Sequence, residues 1–264
     1  MAWESINVRE HGAVGDGIVD DTAAIQSALR QASHVHLPAG RYRISQIKIP
    51  PECRVTGDGC NQTWLFPFGK QIGPLVTDQG NAQKIAIEHI GISGQNLVRD
   101  GLIQFGFGSF PWGTQAVIHS CQIRDCPTGY GISVDQNISL VERSYILKCK
   151  TGLYVKGNEF VLNHIQIVGC EVIDIVSPCI LRNLEIEAPQ GPIALNVRRK
   201  ALISDIHISL SKPIDYAVEF DQKLGSICGF LYDAKPGARC KWVKYPGGEI
   251  SLASNVMFDP CVTR

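Results

Sequence analysis

The 264-residue sequence predicts an all-β chain wound into a parallel β-helix, with a short capping α-helix near its start. Three regularities point there. An apolar anchor followed five residues later by isoleucine recurs as Ile87 and Ile92, Ile118 and Ile123, Val141 and Ile146, Leu162 and Ile167, Leu181 and Ile186, and Ile203 and Ile208. After a first interval of 31 residues the anchors fall 23, 21, 19 and 22 apart. That spacing is too short for a helical-pair repeat and too regular for an antiparallel sandwich, in which the period would be accidental. Each unit then ends in a second alternating strand, at residues 131–135, 152–156, 172–175, 194–198 and 217–221. Finally, Cys126, Cys149 and Cys170 each follow an isoleucine by three residues, a ladder of small buried thiols behaving as apolar groups.

Taken in order, residues 1–66 read as an N-terminal cap with the first strands, 84–222 as regular coils and 223–264 as a C-terminal cap, all within one domain. Exposed strand edges at the end of such a prism invite aggregation unless covered. Asp20, Asp21 and Thr22 offer helix-capping side chains, and Ala23, Ala24, Ile25, Ala28 and Leu29 follow a helical period, so residues 21–32 are expected to form an amphipathic lid. Gly15-Asp16-Gly17 and Gly57-Asp58-Gly59 read as tight turns, because glycine tolerates positive φ. Trp242, Tyr245 and Phe258 are expected to help close the other end. With coils stacked at the normal strand spacing of about 4.8 Å, six or seven make a prism roughly 30 Å tall.

Composition narrows the function. Twenty-five basic against 25 acidic side chains remove the overall positive field of a general nucleic-acid binder. No run of about 18 apolar residues exists to insert into a membrane. The start Met-Ala-Trp-Glu-Ser lacks a basic stretch and hydrophobic run, so no signal peptide is expected in the chain as given. Without a Cys-x-x-Cys pair or a His-x-x-x-His pair, no metal or other cofactor is expected. His89 and His164 share a polar turn column with Ser120, Arg143, Asn183 and Asp205, but they are not in adjacent coils.

The run Ile6-Asn7-Val8-Arg9-Glu10-His11-Gly12-Ala13-Val14-Gly15-Asp16-Gly17, continued by Asp20-Asp21-Thr22-Ala23-Ala24-Ile25-Gln26, resembles the N-terminal signature of the pectate-lyase superfamily. Residues 35–42 (Val-His-Leu-Pro-Ala-Gly-Arg-Tyr) and 55–59 (Val-Thr-Gly-Asp-Gly) extend the match. The resemblance covers residues 6–66 closely and the remainder by coil pattern. It implies a right-handed β-helix of the kind found in polygalacturonase-like hydrolases, mannuronan epimerases and phage tailspikes, with saccharide lying along the outside of the sheet built from the second strand type. For a tailspike it also implies a homotrimer, located in a virion tail or outside the cell.

Period-two alternation lays that sheet out. Placing Ile132 and Val134, Leu153 and Val155, Ile173 and Ile175, Leu195 and Val197, and Val218 and Phe220 inside leaves one outward column of Ser133, Tyr154, Asp174, Asn196 and Glu219. Beside it run Asp135, Lys156, Val176, Arg198 and Asp221. Asp174 and Glu219 stand two coils apart, about 9.6 Å between backbones, within side-chain reach of the roughly 6.5–9.5 Å separation used for inverting glycoside hydrolysis. Asp135 has the same relation to Asp174, with Lys156 between them. The candidate catalytic set is therefore Asp174, Glu219, Asp135 and Lys156. Ser133, Tyr154, Asn196, Arg198 and Trp112 are candidate saccharide contacts, Trp112 from the aromatic insertion at residues 105–113. Those aromatics suit either a sugar face or packing against the core or another subunit.

Two functions follow. One is recognition of a polysaccharide, with glycoside hydrolase or polysaccharide lyase chemistry if the chain is an enzyme. The other is a structural or adhesion module without chemistry, in which Asp135 with Lys156, and Arg198 with Asp221, are ordinary cross-strand ion pairs. Familiar mechanisms do not transfer: Ser133 and Asp135 stand where alginate epimerases carry catalytic Asp and His, and the polygalacturonase Asn-Thr-Asp, Asp-Asp and His-Gly motifs are absent. Carboxylates tied up in ion pairs would favour the second function.

Overall fold

The computed structural model describes residues 5–79, 84–106, 115–199, 201–221, 225–238, 240–244 and 256–258. Its strands pair in parallel throughout and stack into a β-helix of about nine turns. Three walls can be followed by register. Wall II, made by the anchors, runs through Ile6, Val35, Val55, Ile87, Ile118, Val141, Leu162, Leu181 and Ile203 to Ile227. Wall III aligns Tyr42, Leu65, Ile92, Ile123, Ile146, Ile167, Ile186 and Ile208. Wall I aligns Ile47, Val76, Ile103, Ile132, Leu153 and Ile173, and continues through Leu195, Val218 and Val243.

All twelve anchor and partner residues of the repeat are buried, as are the ten residues placed inside wall I by alternation. They share one core running the length of the prism. The coil count exceeds six or seven because strands Ile6–Asn7, His34–Leu37 and Arg54–Gly57 already belong to wall II. Parallel pairing also runs past residue 222, through Gly225–Ala234, Lys241–Lys244 and Val256–Phe258. The segment read from sequence as a closing cap therefore carries further coil strands. The side chains of Trp242, Tyr245 and Phe258 lie outside the described residues.

Single residues in the left-handed region make the corners. Between walls II and III stand His89, Ser120, Arg143, His164, Asn183 and Asp205, with φ between 48° and 59°. A lone left-handed residue reverses the pleat locally, which His, Asn and Asp tolerate better than most. Asp125, Lys148 and Ala188 do the same between walls III and I. Cys126 and Cys149 follow that corner as register partners, and the backbone N–H of Cys149 donates to the Cys170 sulfur at 3.5 Å. The eight described cysteines are all free, and burial pushes the Cys126 thiol up to about 11.

The lid is α1, Thr22–Leu29, shorter than the expected 21–32, and it buries Ile25, Ala28 and Leu29 over the first coil. Asp21 holds the N-cap position without a side-chain capping bond, and the Asp20 carboxylate accepts from the Thr22 N–H at 3.0 Å. Asp21 is almost fully buried and accepts instead from the N–H groups of Val14 and Gly15, at 2.6 and 3.2 Å. Gly15 has φ +68°, and a Cβ there would lie 2.8 Å from the Tyr42 ring, so both conformation and space demand glycine. Gln26 completes the lid. Its side-chain amide accepts from Lys48 N–H and donates to Lys48 C=O, at 2.8 and 2.9 Å, standing in for the strand that edge Ile47–Ile49 lacks.

Candidate functional site

Wall I presents the predicted outward column in register. Lys48, Thr77, Gln104, Ser133, Tyr154, Asp174, Asn196, Glu219 and Lys244 are successive partners along it. Asp135 and Lys156 pair in the adjacent column. Arg198 N–H bonds Ile175 C=O, and Asp221 N–H bonds Val197 C=O, extending that column coil by coil.

The ionisable side chains are paired. Lys156 Nζ lies 3.0 Å from Asp135 Oδ2. Arg198 spans two coils, with Nε 2.6 Å from Asp174 Oδ1 and Nη1 3.1 Å from Asp221 Oδ2. Lys244 Nζ sits 2.5 Å from Glu219 Oε1. The Asp135 hydrogen bond raises Lys156 above its ordinary pKa, and Asp174 and Glu219 do the same to Arg198 and Lys244. Every carboxylate proposed for acid or base work thus faces a cation at contact distance. A glycosidase acid needs the opposite, a carboxyl whose neutral form its surroundings favour.

The remaining candidates have distinct surroundings. Ser133 is buried, which removes it from the accessible surface. Tyr154 packs on Tyr130, ring centroids 5.7 Å apart, and desolvation raises its phenol pKa. Asn196 Nδ2 donates weakly to Ile173 C=O at 3.4 Å. Trp112 lies outside the described residues.

The structure extends the column beyond Ser133, through Gln104 and Thr77 to Lys48. Gln46, Lys48, Pro74, Thr77, Asp78, Gln79 and Gln104 line an open cleft of about 630 Å³ at the lid end of wall I. Asp78 is buried and accepts from Gly106 N–H and Gln136 Nε2, at 3.1 and 3.2 Å. Nothing in the period marked this end, because the first coils have irregular lengths. The Val76–Asp78 strand carries no isoleucine anchor.

Residues 5–108 match the family described as rhamnogalacturonase A/epimerase, pectate lyase-like. Over 88 residues the chain is 46% identical to mannuronan C5-epimerase AlgE4 of Azotobacter vinelandii, covering 30% of this chain and 15% of that protein. It is 30% identical over 111 residues to the pre-neck appendage protein of Bacillus phage B103, covering 34% and 13%. The chain thus spans a small part of the curated relatives it matches. Its fold superposes on Pantoea stewartii WceF, described as a glycan biofilm modifying enzyme with a bacteriophage tailspike-like parallel β-helix fold. That match has a TM-score of 0.70 and 16% identity, over 92% of this chain and 39% of that one. Signature, stacked walls and fold agree: the chain is a parallel β-helix protein whose residues 5–108 are similar to the pectate-lyase-like family.

Proposed function

We propose that the chain recognises a polysaccharide along wall I, as a component of a phage tail or a related tailspike-like particle. The observation that supports this reading is the outward column itself. It gives a row of amide, hydroxyl and paired ionic side chains one coil apart, opening into the cleft beside Thr77 and Gln104. Coils about 4.8 Å apart give roughly one polar group per sugar edge. The Tyr154 ring, tilted 60° to that of Tyr130, adds aromatic surface in the middle of the row. The relatives' printed activities, epimerisation of mannuronan and modification of glycan, favour a saccharide ligand. The ion pairs at Asp135, Asp174 and Glu219 meet the criterion for a module without chemistry at these carboxylates, so the reading is binding without cleavage there.

The test is calorimetric titration against a panel of uronate-containing and neutral polysaccharides, with reducing-end and unsaturated-product assays alongside. Binding that falls in Tyr154→Ala and Gln104→Ala supports the reading. Absence of binding across the panel, or binding indifferent to both variants, overturns it. Product released by wild type but not by Asp174→Asn would establish catalysis at that carboxylate.

We further infer that three copies associate through wall II. Ala86, Val117, Leu140, Val161, Ile180 and Leu202 are partners in six successive coils and point outward, with Val161 and Leu202 40% and 51% exposed. The column forms one side of an apolar hollow with Ile138 and Pro178, and contiguous apolar surface on a soluble protein marks an interaction face. A trimer mass by light scattering that Val161→Lys reduces to a monomer supports this. A monomeric wild type refutes it.

A further inference from the structure

We propose that Glu88, His89 and His119 form a binding site for a divalent transition metal ion of the Zn²⁺ type. One ligand atom from each of the three lies within 4.8 Å of the others. The site arises from stacking. Thr56, Glu88, His119, Glu142 and Asn163 are partners along the outer edge of wall II, so an imidazole stands between two carboxylates in consecutive coils. His89 follows Glu88 at the corner, where φ of +59° turns its ring back beside that of His119. The two rings meet edge to face, centroids 5.4 Å apart and planes at 89°. Neighbouring imidazoles contacting in this way leave ring nitrogens available to a shared ion.

Chemistry selects the ion. Two imidazoles and one carboxylate are a borderline donor set that suits Zn²⁺, Ni²⁺ or Cu²⁺, whereas Ca²⁺ and Mg²⁺ require mostly oxygen ligands. Tetrahedral Zn²⁺ with bonds of about 2.1 Å needs ligand separations near 3.4 Å, a closure of roughly an ångström that side-chain rotation provides. All three residues are half-buried. Surrounding groups hold the ligands in place. Arg54 Nε and Nη2 donate to the two oxygens of Glu88 at 3.0 and 2.6 Å. Glu142 Oε2 lies 3.8 Å from His119 Nε2, and its other oxygen accepts from Asn163 Nδ2 at 2.8 Å. At that distance Glu142 is beyond hydrogen-bond reach of the ring and adds negative charge beside it. Arg54 competes for charge at Glu88 and keeps the site of moderate affinity.

The ion would tie two coils together at the corner between walls II and III, outside the saccharide face. The experiment uses the full chain, stripped with a chelator and kept reduced without thiols. It is titrated with Zn²⁺ by calorimetry and with Co²⁺ by visible absorption, with thermal unfolding in parallel. Expected are one equivalent bound, a Co²⁺ spectrum lacking sulfur charge transfer, and a metal-dependent rise in Tm. His119→Gln and His89→Asn should each weaken binding at least tenfold. Asparagine also tolerates the left-handed corner, so the second variant keeps the fold. His164→Asn, in the same turn column three coils away, should bind as wild type does. Absence of binding, sulfur charge transfer in the Co²⁺ complex, or equal affinity in His89→Asn and wild type would each overturn the assignment.

Discussion

Walls I and II are built alike inside and differently outside. Both bury one branched aliphatic residue after another at the same positions coil after coil, such as Leu153 and Ile173 in wall I and Leu162 and Leu181 in wall II. Outside, wall I bears cations and carboxylates that neutralise one another between successive coils. Wall II bears an apolar column flanked by an edge of Glu88, His119 and Glu142. The difference teaches that the interior of a stacked coil constrains its residues by volume, while the outer faces are free to diverge. The faces proposed for recognition and for assembly therefore lie on separate walls of one scaffold.

The inner equivalence can be broken most severely. Leu195→Ala beneath wall I and Leu181→Ala beneath wall II should each cost about 2–5 kcal/mol, the range for truncating a buried leucine. The two costs should agree within error in urea unfolding. A large excess on one side would show that the walls are not interchangeable inside.

The corner between walls II and III offers a smaller, pH-dependent contrast. Cys121 is buried beneath it, its thiol donating to the carbonyls of His119 and Ile87, at 3.4 and 3.6 Å, and burial pushes its pKa from 9.0 up to about 12. A thiol raised in the folded state contributes stability that is intact below 9.0 and disappears as pH climbs to about 12, because only the unfolded chain can ionise it. The loss should approach about 1.4 kcal/mol per pH unit within that window. Cys121→Ala should have a shallower alkaline limb in stability measured from pH 8 to 11. Parallel limbs would mean that Cys121 ionises in the folded state.

The smallest effect on stability separates the outer faces. Arg198→Ala removes two half-exposed pairings and should cost about 1 kcal/mol or less. The same change should weaken saccharide binding about tenfold if the guanidinium contacts ligand. Leu202→Ala should leave saccharide affinity unchanged.

Much of this was legible beforehand. The spacing from Ile87 to Ile208 specified the coil, because each turn must return one aliphatic side chain to the same inward position. Alternation then placed Ser133, Tyr154, Asp174, Asn196 and Glu219 on one outer wall, where register confirms them as neighbours. The coils at either end were undercounted, since strands such as Val76–Asp78 lie between irregular turns. The histidine cluster was missed for a related reason. His89 was compared with His164 of its own turn column, whereas its neighbour is His119, which ends a strand in the adjacent coil.

The sequence by itself determined which residues face inward, because burial of apolar surface obeys a period that can be read along one chain. Pairs within one column, such as Arg198 with Asp221, could be read from alternation, but only the tertiary structure decided the remaining polar contacts. Arg198 also reaches Asp174, Gln26 caps Lys48, and Glu88 meets His119, through contacts across coils separated by about twenty to thirty residues. Such pairings depend on register and on left-handed corners. Neither leaves a periodic signal in the order of the residues.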